Sequence, residues 1–201
     1  MRVTLVAHAS QSEEVAPPTT EPRLDLTRLT HELAHQLAFN SGIQKRGVMY
    51  PFWVSEGLAT NFEFDWPTGP SLDRCNTVRC ACVLDTRVAG ELVPFEQFIV
   101  QAKVPADTRV SRRHYAQAWA FFQFIMTERP RELRTYVRRL AKQPPGPREA
   151  NTILAEFTEA FGPLEAVERA WNAFLDRQGQ QIRTDHPVTT LAPGTLAARL
   201  P

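Results

Sequence analysis

Two histidines and a glutamate stand at the spacing H-E-x-x-H in this chain, as His31, Glu32 and His35. Histidines four residues apart on a helix point to the same side, so both imidazoles can bind one metal ion. The glutamate between them can then act as a general base on a water molecule at that metal. The pattern predicts zinc-assisted hydrolysis, most often of a peptide bond. The alternative is a surface helix that carries two solvated histidines.

A helix from about Leu24 to Phe39 is predicted to carry this motif. Pro22 is a start signal, and the polar residues from Asn40 to Gly42 are a stop signal. Leucines recur at helical spacing and form a narrow stripe almost opposite the two histidines. We therefore expect the leucine side to pack on the core and the histidine side to face a cleft. The stripe consists of Leu26, Leu29, Leu33 and Leu37.

A catalytic zinc site usually has three protein ligands and one open position for water, so another element must supply the third ligand. Glu56 is the candidate, 21 positions after His35 and beyond a turn-rich loop from Ser41 to Pro51. Its neighbours are strongly apolar, and a buried glutamate needs a partner such as a metal ion. The alternative is a glutamate at a helix N-terminus that complements the helix dipole.

These two motifs carry a resemblance to a known family. H-E-x-x-H followed about twenty residues later by W-x-S-E-G-L-A is similar to the motifs of the gluzincin metallopeptidases. The sequence of residues 29–63 resembles the bacterial DUF1570 family. The resemblance implies one zinc ion bound by His31, His35 and Glu56, with Glu32 as general base. It also implies a peptide or protein substrate, without a known specificity.

The resemblance also implies that a tyrosine or histidine on a later helix stabilises the oxyanion. The segment that begins His114-Tyr115 is the place to look, and Tyr115 resembles the family position better than His114 does. The alternative is a packing role, because Tyr115 starts an apolar stripe at helical spacing. That stripe continues through Trp119, Phe122 and Met126.

Glu63 is a candidate partner for a ligand histidine, since metal-bound histidines usually donate their second N–H to a carboxylate or carbonyl. It follows Glu56 by seven residues and is expected on the same helical face. The alternative is a solvated carboxylate at the rim of the site.

The predicted fold is mainly α, with α+β as the upper limit, and resembles a gluzincin catalytic helical domain with a reduced or absent N-terminal sheet. An irregular stretch from Asp65 to Val93 is expected after the second metal helix. Residues 1–178 should form a single domain, in which residues 1–22 are irregular or one strand, and residues 179–201 a loose tail. Later helices are predicted near residues 94–101, 111–127, 130–141, 148–161 and 163–177.

Because only some twenty residues precede the motif helix, we expect a fragment or a shortened family member in which the substrate cleft is incomplete. The alternatives to a peptidase are then a zinc-binding domain with little or no catalysis that binds protein partners, and a metallohydrolase that acts on something other than a peptide. Glu32 favours the enzyme, because a site that only binds metal has less need of that base.

Composition narrows the remaining possibilities. With 43% hydrophobic residues and a net charge of +1, the 201-residue chain is expected to be a soluble globular protein without a nucleic-acid partner. No apolar run approaches the ~20 residues of a membrane span, and no signal peptide is recognised, so localisation is left open.

Three cysteines, at positions 75, 80 and 82, match no common zinc pattern. The basic helix from Arg131 to Lys142 is expected to be a solvated face rather than a binding patch.

Overall fold

The computed structural model describes residues 22–63 and 76–185, and within these ranges the chain is helical. No strand occurs there, although Val48 and Gly146 form an isolated parallel bridge. The mainly-α prediction is confirmed, while the expected N-terminal strand and most of the expected tail lie outside the described residues. The helices are α1 Pro22–Asn40, α2 Phe52–Thr60, α3 Thr77–Val88, α4 Phe95–Val100, α5 Thr108–Glu128, α6 Pro130–Leu140, α7 Ala150–Phe161 and α8 Leu164–Asp185.

Helix α5 is the central element, and it packs against α2, α3, α6 and α8. Its middle is apolar and almost wholly buried, and it contains Trp119 and Phe122 of the apolar stripe described above. Phe121 is fully buried and lies at the centre of an aromatic cluster, whose rings pack edge-on or tilted at ordinary distances. The aromatic neighbours of Phe121 are Trp53, Phe95, Phe98, Phe124, Phe157 and Trp171.

Two helix predictions need correction. The stretch predicted to be irregular contains α3, whose start is capped by the Asn76 side chain, which accepts a hydrogen bond from the Arg79 backbone N–H. Cys80 is buried and Cys82 half-buried on this helix, whereas position 75 lies outside the described residues. Helix α8 continues to Asp185, beyond its predicted end near residue 177. The division into one domain and a tail stays a prediction.

The packing of α1 is the reverse of what its leucine stripe predicts. Leu37 is 66% exposed, and the other three leucines of the stripe are 38–54% exposed. Among the described side chains of α1 the buried ones are Ala34 and Ala38, and His31 and His35 beside them are partly buried. Since alanine is small, α1 can approach α2 closely on this side, and the histidine rings fill the remaining space. The side that packs is therefore the histidine side.

Helix α2 rests directly on α5 at Gly57. A Cβ at this position would lie 2.7 Å from the carbonyl oxygen of Ala118 and 2.8 Å from the Cβ of Phe122. Asn61 strengthens the contact, because its Nδ2 donates both to the Gly57 carbonyl and to a carbonyl of α5, at 2.6 and 3.2 Å. Glu56 is the preceding residue, so this close approach determines where its backbone lies.

Gly57→Ala should lower the free energy of unfolding by about 1–3 kcal/mol, because the added methyl group overlaps the backbone of α5. Gly179→Ala is the matched control: it is also a helical glycine, and its added Cβ would meet Leu84 at an ordinary 3.8 Å. We expect the control to be neutral or stabilising by up to about 1 kcal/mol. Urea unfolding measures both variants, and equal stabilities would contradict the tight contact between α2 and α5.

Candidate metal centre

Helices α1 and α2 bring His31, His35 and Glu56 together. Oε2 of Glu56 lies 3.2 Å from Nε2 of His31 and 3.5 Å from Nε2 of His35. The two Nε2 atoms are 3.2 Å apart. All three side chains are partly buried, and together they could hold a metal ion. The three ligands expected from the sequence therefore form one cluster, called the metal cluster below.

The dimensions of the metal cluster fit a tetrahedrally coordinated metal ion, and zinc is the test case. Zinc lies about 2.0–2.2 Å from nitrogen and oxygen ligands, so two ligands at a tetrahedral angle are about 3.3–3.6 Å apart. The observed separations of 3.2, 3.2 and 3.5 Å match one face of such a tetrahedron. Two imidazoles and one carboxylate are also a donor set of catalytic zinc sites, which keep the fourth position for water or substrate.

Glu63 engages the other ring nitrogen of His31. Its Oε1 lies 3.1 Å from His31 Nδ1, which can donate a proton to the carboxylate and leave Nε2 for a metal ion. The expected contact with a ligand histidine is therefore present. The prediction that Glu63 shares a helical face with Glu56 is wrong, because α2 ends at Thr60 and Glu63 lies in the turn that follows.

Arg79 contacts Glu63 in the structure, but the sequence did not predict it as part of the site. From α3 its Nε donates to Oε2 of Glu63 at 3.0 Å, and its second guanidinium nitrogen donates to Oε1 at 2.7 Å. The same guanidinium lies 5.6 Å from the ring centroid of Tyr115. In the sequence, Asn76 could have indicated the start of α3, since asparagine is a favoured N-cap residue. No local pattern indicates that a residue of this helix reaches Glu63.

Tyr115 lies beside the metal cluster, on α5. Its ring centroid is 6.2 Å from that of His31 and 5.1 Å from that of Phe52. Burial raises the pKa of Tyr115 to about 12, and the negative charge of Glu56 and hydrogen bonding to it act in the same direction. The hydroxyl is therefore protonated at neutral pH and can donate a hydrogen bond.

His114 and Glu32 differ in their relation to the metal cluster. His114 is engaged elsewhere, because its Nδ1 lies 2.7 Å from Nε2 of Gln101, and burial lowers its pKa. Glu32 is exposed on α1, and after burial and Glu56 its charge also contributes to the raised pKa of Tyr115. The charge of Glu32 therefore acts on the side chain expected to stabilise an oxyanion, whereas the hydrogen-bond contact that the structure describes for the His114 ring is to Gln101.

Without metal, the cluster holds a proton. Burial alone would lower the pKa of His31, but the hydrogen bonds and negative charges of Glu56 and Glu63 outweigh it and raise this pKa to about 9. Burial would raise the pKa of Glu56, yet its bonds to His31 and His35 outweigh that effect and lower it to about 2. An imidazolium therefore faces a carboxylate at neutral pH, and a metal ion must displace its proton.

A family model with the description "Protein of unknown function (DUF1570)" matches residues 25–146, more than half of the chain. The chain belongs to the DUF1570 family. The DUF1570 match runs from α1 to just beyond α6, so it includes the metal cluster and Tyr115. Comparisons with curated proteins and with solved structures give no match. Among the residues that the structure describes, no helix is long and apolar enough to cross a membrane.

The affinity of the metal cluster for added zinc should rise as the pH approaches about 9, the pKa of His31 without metal, because binding of a metal ion must release that proton. Displacement of a single proton weakens binding by up to about tenfold for each pH unit below this value. Competition with a chelator between pH 6 and 9 measures the slope.

Glu63→Gln is the informative variant in that experiment. Loss of one of the two carboxylates that hold the proton should lower the pKa of His31, so the affinity should level off at a lower pH than in the wild type. A zinc affinity that does not change with pH in the wild type would contradict the protonated cluster.

Proposed function

We propose that this DUF1570 protein is a zinc-dependent peptidase of the gluzincin type. The main support is the metal cluster itself, whose separations of 3.2–3.5 Å match zinc ligands on two consecutive helices. Glu32 supports hydrolysis in particular, since it lies between the two histidines on the same helix. The family match assigns no activity, so the proposal rests on these residues.

Each step of the reaction can be assigned to a side chain of this chain. A bound zinc ion would supply a Lewis acid that polarises the substrate carbonyl and lowers the pKa of water towards ~7. Glu32 would accept a proton from the attacking water and later pass it to the leaving amine. The protonated hydroxyl of Tyr115 would donate a hydrogen bond to the carbonyl oxygen as negative charge develops there.

Glu63 and Arg79 would keep this arrangement in place. Glu63 orients the ring of His31 through Nδ1, so Nε2 keeps its direction towards the metal position. Arg79 holds both carboxylate oxygens of Glu63 and also packs over Tyr115. One guanidinium thus connects a ligand histidine with the expected oxyanion donor, and both are positioned before substrate arrives.

The first test separates metal binding from catalysis. Metal analysis of the purified wild type should give about one zinc per chain, with hydrolysis of casein or of a peptide library. Glu32→Gln should keep the zinc and lose at least about 10²-fold in rate, since it removes the general base. Glu56→Ala should lose both zinc and activity. His114→Ala is the control and should keep both, because its contact is to Gln101.

Two outcomes of this test would contradict the proposal in different ways. A wild type that binds zinc but cleaves no peptide would instead support the zinc-binding protein module considered above. Full zinc retention in Glu56→Ala would remove Glu56 from the ligand set.

Tyr115→Phe should lower kcat by roughly 10²-fold or more with zinc retained, because it removes a hydrogen bond that matters most in the transition state. Tyr50→Phe is the control, since the Tyr50 hydroxyl accepts from the Lys45 backbone N–H at 2.7 Å and so supports a loop. Steady-state kinetics with a fluorogenic peptide measures both variants. An unchanged kcat in Tyr115→Phe would leave this tyrosine with a packing role alone.

A further inference from the structure

A cavity of about 550 Å³ opens between the loop after α1 and helices α2, α5 and α6. It shares no residue with the metal cluster. Its volume is in the range of small-ligand sites, which combine an apolar lining with a few polar groups. Its apolar lining includes Ile43, Leu58, Phe122, Met126, Leu133 and Val137.

Gln44 is one of the polar residues that line this cavity. It is only 1% exposed, yet neither Nε2 nor Oε1 of its side chain has a hydrogen-bond partner in the part of the chain that the structure describes. Buried amides are nearly always paired, because their lost hydration must be replaced. Both atoms are almost inaccessible in this structure, so a ligand that offers one acceptor and one donor, as a peptide group does, would pair them after the side chain rotates towards the cavity.

Two arginines also line the cavity. Arg134 and Arg138 are one turn apart on α6, so they share a face, and both are exposed. Neither forms an ion pair with a described residue, whereas the adjacent Arg139 pairs with Glu159 at 2.6 Å. Guanidinium groups bind carboxylates through paired N–H donors. The basic face expected to be solvated therefore borders an apolar cavity at two of its residues.

We propose that this cavity binds the C-terminal end of an apolar peptide. The α-carboxylate would bind Arg134 and Arg138, the last peptide group would pair with the Gln44 amide, and apolar side chains would contact the lining. A fatty acid has the apolar body and the carboxylate but lacks the amide, and an internal peptide segment lacks the carboxylate. The inference does not depend on zinc or on catalysis, because the cavity contains no residue of the metal cluster.

The test uses the full chain carrying Glu32→Gln, so that no probe is hydrolysed, with N-acetyl-leucyl-leucine as the probe and calorimetry as the readout. We expect saturable binding of one probe molecule per chain. The C-terminal amide of the same dipeptide and octanoic acid should each bind at least about tenfold more weakly, since each lacks one of the two polar contacts. Zinc removal by a chelator should leave the affinity unchanged.

Variants assign the contacts to residues. Arg134→Gln and Arg138→Gln should each weaken binding of the probe by about tenfold or more. Arg131→Gln is the matched control, because this exposed arginine lies on the same helix and outside the cavity. Gln44→Leu should also weaken binding while the melting temperature stays the same or rises, since it removes an unpaired buried amide and keeps the side-chain size.

Three results would overturn the proposal. The first is the absence of saturable binding. The second is equal affinity for the dipeptide, its amide and octanoic acid, which would indicate an unspecific apolar cavity. The third is an unchanged affinity in Gln44→Leu, which would indicate that ordered water satisfies this amide. None of these results bears on hydrolysis at the metal cluster, which is measured in the wild type with zinc bound.

Discussion

The contact between Gly57 and α5 controls the geometry around the metal position. Helix α2 has only nine residues, and it is anchored at one end by the fully buried Trp53, whose ring stacks on that of Tyr136 at 5.8 Å. Glu56 lies between these two anchors. A side chain at position 57 would move α2 away from α5, and a shift of about 1 Å is enough to spoil a metal site. The separations within the metal cluster therefore depend on the absence of a single methyl group.

Charges of alternating sign connect the metal cluster to the rest of the domain. Glu56, His31, Glu63 and Arg79 follow one another through direct contacts, from α2 through α1 and the turn after α2 to α3. Burial would raise the pKa of Glu63, but its bond to His31 and the charge of Arg79 lower it. Buried charges are tolerated only when they are paired. A metal ion would replace the proton on His31 and leave the pair of Glu63 and Arg79 intact.

Local sequence patterns predicted the parts of the site that lie close together along the chain. The spacing of His31 and His35 places both on one helical face, and the apolar surroundings of Glu56 indicated a buried carboxylate. The leucine stripe predicted the wrong buried side of α1, because hydropathy favours leucine over the alanines that permit close packing. Arg79 could not be predicted, since its contact depends on how α3 packs beside the turn after α2.

Some helix limits could be predicted from local sequence, whereas the cavity could not. Pro130 marked the start of α6 because proline suits the first turn of a helix, and the structure confirms it. Helix α3 was not expected because much of its sequence consists of valine, threonine and cysteine, which have low intrinsic helix propensity. The cavity beside Gln44 forms where a loop and three helices pack together. Residue spacing along the chain does not predict such packing.

The exposed leucines of α1 have a consequence for how this helix stays attached. Of its described side chains, Ala34 and Ala38 are the buried ones, so detachment of α1 would bring little of its own apolar surface into water. Polar contacts of His31 and His35 with Glu56 and Glu63 also hold it in place. Local opening is easiest where few apolar contacts must be broken. Metal capture and the docking of α1 are therefore two parts of one linked equilibrium, in which each stabilises the other.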